Sequence, residues 1–215
     1  PNLKCTPYAE WLPENAKSGG DIVLAPLRPD LRANFNRSAA WAFINSTVGY
    51  SYGFFNFLLG WVDTPNDNYP CLPPSSGRCL VWEHLELVAL TIDAISPTLA
   101  GRFFNQALNH RVNATGLPIA DVLMRGAQVF GYRGGDITAV PEKDEWTYRT
   151  TRYGKPAIGL SNVCSTYVCN VLRHGGAFAG TALAEGIQCT EQTPWNMQAL
   201  QLWDTARMGA NRPAL

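Results

Sequence analysis

Six cysteines stand at positions 5, 71, 79, 164, 169 and 189, and the way they pair limits every fold open to the chain. Cys71 and Cys79 flank Leu72-Pro73-Pro74-Ser75-Ser76-Gly77-Arg78, a turn-rich loop that a disulfide between them closes. Cys169 and Cys189 fall close together in the C-terminal third and form the second expected pair. Two further disulfides would instead use Cys5, Cys164, Cys169 and Cys189 together and leave no thiol. If Cys164 is free, Cys5 is left to a partner upstream of Pro1 or on another chain. A zinc site has no support, because neither a doubled Cys-x-x-Cys nor a His-x-x-x-His spacing occurs.

Cys164 matters most among them. The run Ser161-Asn162-Val163-Cys164-Ser165-Thr166-Tyr167-Val168-Cys169-Asn170-Val171-Leu172-Arg173-His174 opens on N-cap-type residues and stops at Gly175-Gly176. A cysteine in the first turn of such a helix lies among unpaired backbone N–H groups at the positive end of the helix dipole. Those surroundings favour thiolate over thiol and make a candidate nucleophile. The plainer reading of a helical cysteine is a disulfide partner or a small core residue.

Bulk properties narrow the class. The chain has 215 residues, 46% hydrophobic and 16% charged, which suits one domain over 1–215 with a substantial core. Seventeen basic and seventeen acidic residues cancel, so no basic field exists to hold phosphates, and general nucleic-acid binding is excluded. No apolar run approaches the roughly 18 residues that span a bilayer; the longest, Phe54 to Val62, ends at Asp63. The chain starts at Pro1 rather than Met and shows no signal-type segment, so a processed product or a piece of a longer one is expected. Asn36-Arg37-Ser38, Asn45-Ser46-Thr47 and Asn113-Ala114-Thr115 are three glycosylation sequons. With the cysteines they point to the secretory pathway, outside the cell or in a lysosomal or vacuolar compartment.

Local patterns place the elements. Tyr8 to Leu12 follows Thr6-Pro7 as a short helix, Asp21 to Leu27 reads as a buried strand, and Pro29 to Val48 as one helix stopped at Gly49. Asp63, Asp67 and Asn68 sit in a polar loop where Asx-turn capping is a better account than calcium binding, so no metal and no cofactor are expected. Leu80 to Ala94, Pro97 to Arg111 and Ile119 to Gly126 form a helical insert at about 79–126. Gln128–Tyr132 and Asp136–Val140 read as short strands, Lys143–Pro156 as loop, and Trp195–Asp204 as a last helix. Trp61, Tyr69 and Trp195 are the aromatics a carbohydrate-binding module would use.

Gly49-Tyr50-Ser51-Tyr52-Gly53, followed about a hundred residues later by Val163-Cys164-Ser165-Thr166-Tyr167-Val168, resembles the permuted papain-like hydrolases, the NlpC-like branch that includes lecithin:retinol acyltransferases. The likeness covers about residues 20–60 and 155–178. It implies an α+β fold, circularly permuted, with a small antiparallel sheet packed on the nucleophile helix. It also implies cleavage or transfer at amides, thioesters or esters, with Cys164 as nucleophile, Tyr52 and Ser165 lining the cleft, and a backbone N–H near the cysteine holding the oxyanion. The family base is a histidine ahead of the cysteine, on a strand within a Gly-His step. His84 lies mid-helix in the insert, His110 ends another insert helix, and His174 sits about 15 Å along the cysteine's own helix. None matches. Either an upstream segment or second chain from the same precursor supplies the base, or the protein is an inactive structural or interaction glycoprotein.

Overall fold

The computed structural model describes residues 2–17, 22–54, 71–72, 78–79, 82–181, 183–207 and 209–210. Helices and short antiparallel strands make a mixed α+β arrangement. Helix α1 (Tyr8–Ala16) begins after Pro7 and buries none of its residues. Strand β1 (Val23–Leu24) is only two residues long and pairs with residues 209–210. The buried strand expected over Asp21–Leu27 is therefore corrected. Val23 and Leu24 are exposed, Pro26 offers no ladder N–H, and Leu27 turns away to bridge Trp203.

The helix expected over Pro29–Val48 is two, α2 (Pro29–Ala33) and α3 (Arg37–Thr47). Asn36 divides them. Its Oδ1 accepts the Ala39 N–H at 3.0 Å, starting α3, while its own N–H donates to the Gly175 carbonyl. Strands β2 (Cys71–Leu72) and β3 (Arg78–Cys79) form a hairpin whose register sets Cys71 opposite Cys79. The side chains there, and so the expected Cys71–Cys79 disulfide, lie outside the described residues.

Four helices occupy the insert: α4 (Trp82–Ile95), α5 (Pro97–Phe103), α6 (Asn105–Arg111) and α7 (Ile119–Arg125). The expected Pro97–Arg111 helix breaks at Phe104, whose φ of −161° leaves the helical region while its ring enters the core. Phe104, Leu108, Val112, Ile119, Val122 and Ile137 are the centre of this first core. The strands expected at 128–132 and 136–140 are absent. A π-helical turn (Gly126–Phe130) and a 3-10 turn (Gly134–Ile137) replace them, separated by Gly131 at φ 72° and closed by Asp136, which accepts the Arg133 N–H.

The loop expected over Lys143–Pro156 instead contains β4 (Tyr148–Arg152), which pairs with β5 (Lys155–Gly159) across Tyr153-Gly154. Both turn residues have positive φ, 50° and 77°, the geometry of a two-residue turn matched to strand twist. Bridges from Tyr50 to Arg152 and from Asn2 to Ser51 carry the antiparallel pairing on. Helix α8 (Cys164–His174) then packs against α3, with Phe43 between Tyr167 and His174. The second core gathers Cys169, Leu172, Phe178, Ile187, Met197 and Leu202. Helices α9 (Leu183–Gly186) and α10 (Pro194–Ala199) and strand β6 (Gly209–Ala210) complete the chain. The last helix stops at Ala199, short of Asp204, because Gln201 adopts a left-handed φ of 52° and Trp203 folds back to donate to the Met197 carbonyl.

Candidate functional site

The segment 49–53 and the start of α8 are brought together by close backbone approach. The Gly53 N–H donates to the Asn162 carbonyl at 3.1 Å, and the Ser161 hydroxyl donates back to the Gly53 carbonyl at 3.1 Å. A Cβ at Gly53 would stand 2.4 Å from the Asn162 nitrogen, so only glycine lets the two segments lie this near. Gly49, with φ 88°, makes the preceding bend against the Tyr153 ring. Between these two glycines the chain aims Tyr52 at Cys164, and the Cys164 N–H donates to the Tyr52 hydroxyl at 2.7 Å.

Cys164 is exposed and unpaired, and so is Cys5. The half-buried Tyr52 ring leans on Phe54. Burial pushes the phenol pKa above its usual value, and its hydrogen bond with the Cys164 side chain pushes it further. The hydroxyl therefore stays protonated at neutral pH. Its oxygen is taken by the backbone N–H, and its proton stays beside the sulfur. Ser165 is buried on the same first turn.

Two of the three histidines are engaged elsewhere. His174 stacks on Phe43 at 4.4 Å, and burial, then Arg173, lowers its pKa. His110 has Nε2 2.8 Å from the Thr147 carbonyl and stacks on Trp146. His84 is exposed on α4. None takes Cys164 or Tyr52 as a hydrogen-bond partner.

The sequon residues Asn36, Asn45 and Asn113 are all exposed. Asp63, Asp67, Asn68, Trp61 and Tyr69, and the side chain of Trp195, lie outside the described residues. Among the described residues no group of three or more His, Cys, Asp or Glu is placed to hold a metal, and no helix is long and apolar enough to cross a membrane.

The Cys169–Cys189 disulfide forms, five residues into α8, and ties that helix to the 3-10 turn Cys189–Glu191. Beside it lies a polar cluster that sequence reasoning missed. Asp144 accepts the N–H groups of Cys189 and Thr190, each at 2.8 Å, and pairs with Arg173. Glu142 is fully buried, donates its N–H to Glu191 and accepts the Tyr148 hydroxyl. Burial pushes the Glu142 carboxyl up to about 7, against the opposing pull of Arg111 and Tyr148. Apart from Glu142 and Tyr148, its partners lie 29 to 49 residues apart and give no local pattern, which is why the cluster leaves no sequence signal.

Comparison with known proteins adds no relative: no family model, no curated protein and no solved structure matches this chain.

Proposed function

We propose that this chain is the nucleophile-bearing part of a cysteine hydrolase or acyltransferase of the secretory pathway, permuted papain-like in its arrangement. The observation that carries this reading is an exposed, reduced Cys164 in the first turn of an 11-residue helix, with the Tyr52 hydroxyl 2.7 Å from its N–H. The Cys164 sulfur attacks an amide, thioester or ester carbonyl, the C=O electrons move to oxygen, and the tetrahedral adduct collapses to an S-acyl enzyme with loss of amine, thiol or alcohol. Water, or an acceptor hydroxyl, then releases the acyl group and regenerates the thiol. Tyr52 occupies the Cys164 N–H, a backbone donor near the cysteine of the kind the resemblance expects to hold the oxyanion, so its own O–H takes that stabilising role.

His110 and His174 are committed elsewhere, and His84 is exposed on α4 with neither Cys164 nor Tyr52 as a hydrogen-bond partner, so we assign the proton acceptor to an imidazole from outside these 215 residues. The buried disulfide and the three exposed sequons support an oxidising, glycosylating compartment. The same placement of histidines favours one competitor, an inactive interaction glycoprotein that retains the fold.

An activated ester separates the two readings, since p-nitrophenolate leaves without a general acid. The intact chain is expected to release p-nitrophenolate in a burst equal to its Cys164 content, and Cys164→Ala to show none. Iodoacetamide mapping is expected to find Cys164 alkylated about tenfold faster than the equally exposed Cys5. No burst, with equal alkylation of the two thiols, establishes the inactive glycoprotein.

A further inference from the structure

A groove of about 1200 Å³ lies away from Cys164 and Tyr52, walled by α4, α5, α6, the 114–118 loop, β4 and Ile158 of β5. Ligand pockets usually span roughly 300–1,000 Å³, so this one has room for a whole small molecule. Its hydrogen-bonding groups are largely spent on its own walls. Gln106 caps both backbone groups of Arg149 and the Gly101 carbonyl. Asn105 and Asn109 hold the Leu117 carbonyl, Asn109 also accepts the Leu117 N–H, and Asp93 accepts the Ile119 N–H. His110 is held on the Thr147 carbonyl.

Besides the hydroxyls of Thr98 and Thr115, what remains for a ligand is of two kinds. One is apolar surface from Leu90, Ala94, Pro97, Pro118 and Ile158, the last 66% exposed. The other is a pair of guanidinium groups, Arg102 and Arg149, both exposed and, among the described residues, neither in an ion pair. An extended peptide would need a row of main-chain donors and acceptors, and the backbone groups of Leu117, Thr147 and Arg149 beside the groove are already taken. An apolar chain with an anionic head needs only what is left, because a guanidinium fork matches carboxylate or phosphate oxygens.

We propose that this groove binds a single-chain amphiphile, its hydrocarbon over the apolar wall of α4, α5 and Ile158 and its anionic head taken by Arg102 and Arg149. The site is independent of Cys164 and stands whether or not the hydrolase reading does. Three ligands of equal chain length test it: laurate, dodecyl phosphate and uncharged dodecanol, measured by titration calorimetry on the full chain. The expected result is that laurate or dodecyl phosphate binds more tightly than dodecanol, and the preferred anion reveals which head the groove takes. Arg102→Gln/Arg149→Gln should weaken anion binding about tenfold or more while leaving dodecanol unchanged. Ala94→Trp, which fills the groove from an exposed helix position, should weaken all three. Circular dichroism verifies that both variants remain folded. Failure of both anions to bind, binding indifferent to the arginines, or binding untouched by Ala94→Trp overturns the proposal.

Discussion

Tyr52 decides how Cys164 can behave, because one hydroxyl both occupies the cysteine N–H and sits beside its sulfur. Tyr52→Phe is expected to slow the p-nitrophenyl ester burst about tenfold. That is less than the roughly 10²–10³-fold cost of an unreplaced oxyanion donor, since the freed Cys164 N–H takes over part of the role. Stopped-flow absorbance reads the rate, and an unchanged burst would remove Tyr52 from the chemistry. Gly53→Ala tests the approach that aims the phenol. With a Cβ 2.4 Å from the Asn162 nitrogen, the 161–162 backbone must move, at a cost of about 1–3 kcal/mol. The melting temperature should fall, and Cys164 alkylation should change with it. A variant unchanged in both would show that the two segments have slack.

Helix α8 carries the nucleophile at one end and is stapled in its middle. Closing a 20-residue separation through Cys169–Cys189 stabilises the fold by about 3 kcal/mol. Replacing both cysteines by alanine should lower the melting temperature by roughly 6–12 °C in scanning calorimetry. A drop under 2 °C would mean that the surrounding apolar contacts alone hold the helix. The extent of this helix was legible in the sequence through its Gly175-Gly176 stop, but its N-cap is Val163, which makes no side-chain cap, and Ser161 bonds the Gly53 carbonyl instead. Tyr52 and Cys164 were both singled out in the sequence, and the Tyr52 hydroxyl lies 2.7 Å from the Cys164 N–H. The β4–β5 hairpin was not legible, because Tyr148-Arg149-Thr150-Thr151-Arg152 lacks apolar alternation. Its one available signal was Tyr153-Gly154 between residues rich in β-branching. The helix breaks at Asn36 and Phe104 escaped for a different reason: a distant carbonyl and a distant core set them.

The described residues gather into two apolar cores, and the short stretch Glu142–Asp144 joins the segment entering β4 to the turn at Cys189–Glu191. Glu142 makes that joint sensitive to pH. Its carboxyl titrates near 7 when folded, against an ordinary 4.5, so the folded form binds the extra proton between those values. Its contribution is fully present below about 4.5 and is lost as pH rises through about 7, a difference of about 3 kcal/mol. Glu142→Gln keeps the neutral shape. The variant should therefore gain stability over the parent steadily from pH 5 to pH 8, read as the gap between their urea midpoints. A constant gap would place the titration elsewhere.

Sulfur occurs in this protein in two oxidation states a turn and a half apart, and access tells them apart: the Cys169–Cys189 bond is wholly enclosed and the Cys164 thiol is open. A bulky or mild reductant can thus restore an oxidised Cys164 without cutting the staple beneath it. A preparation rescued by such treatment regains its reactive group at no loss of thermal resistance, whereas harsh reduction restores the thiol but cuts the staple and gives up thermal resistance.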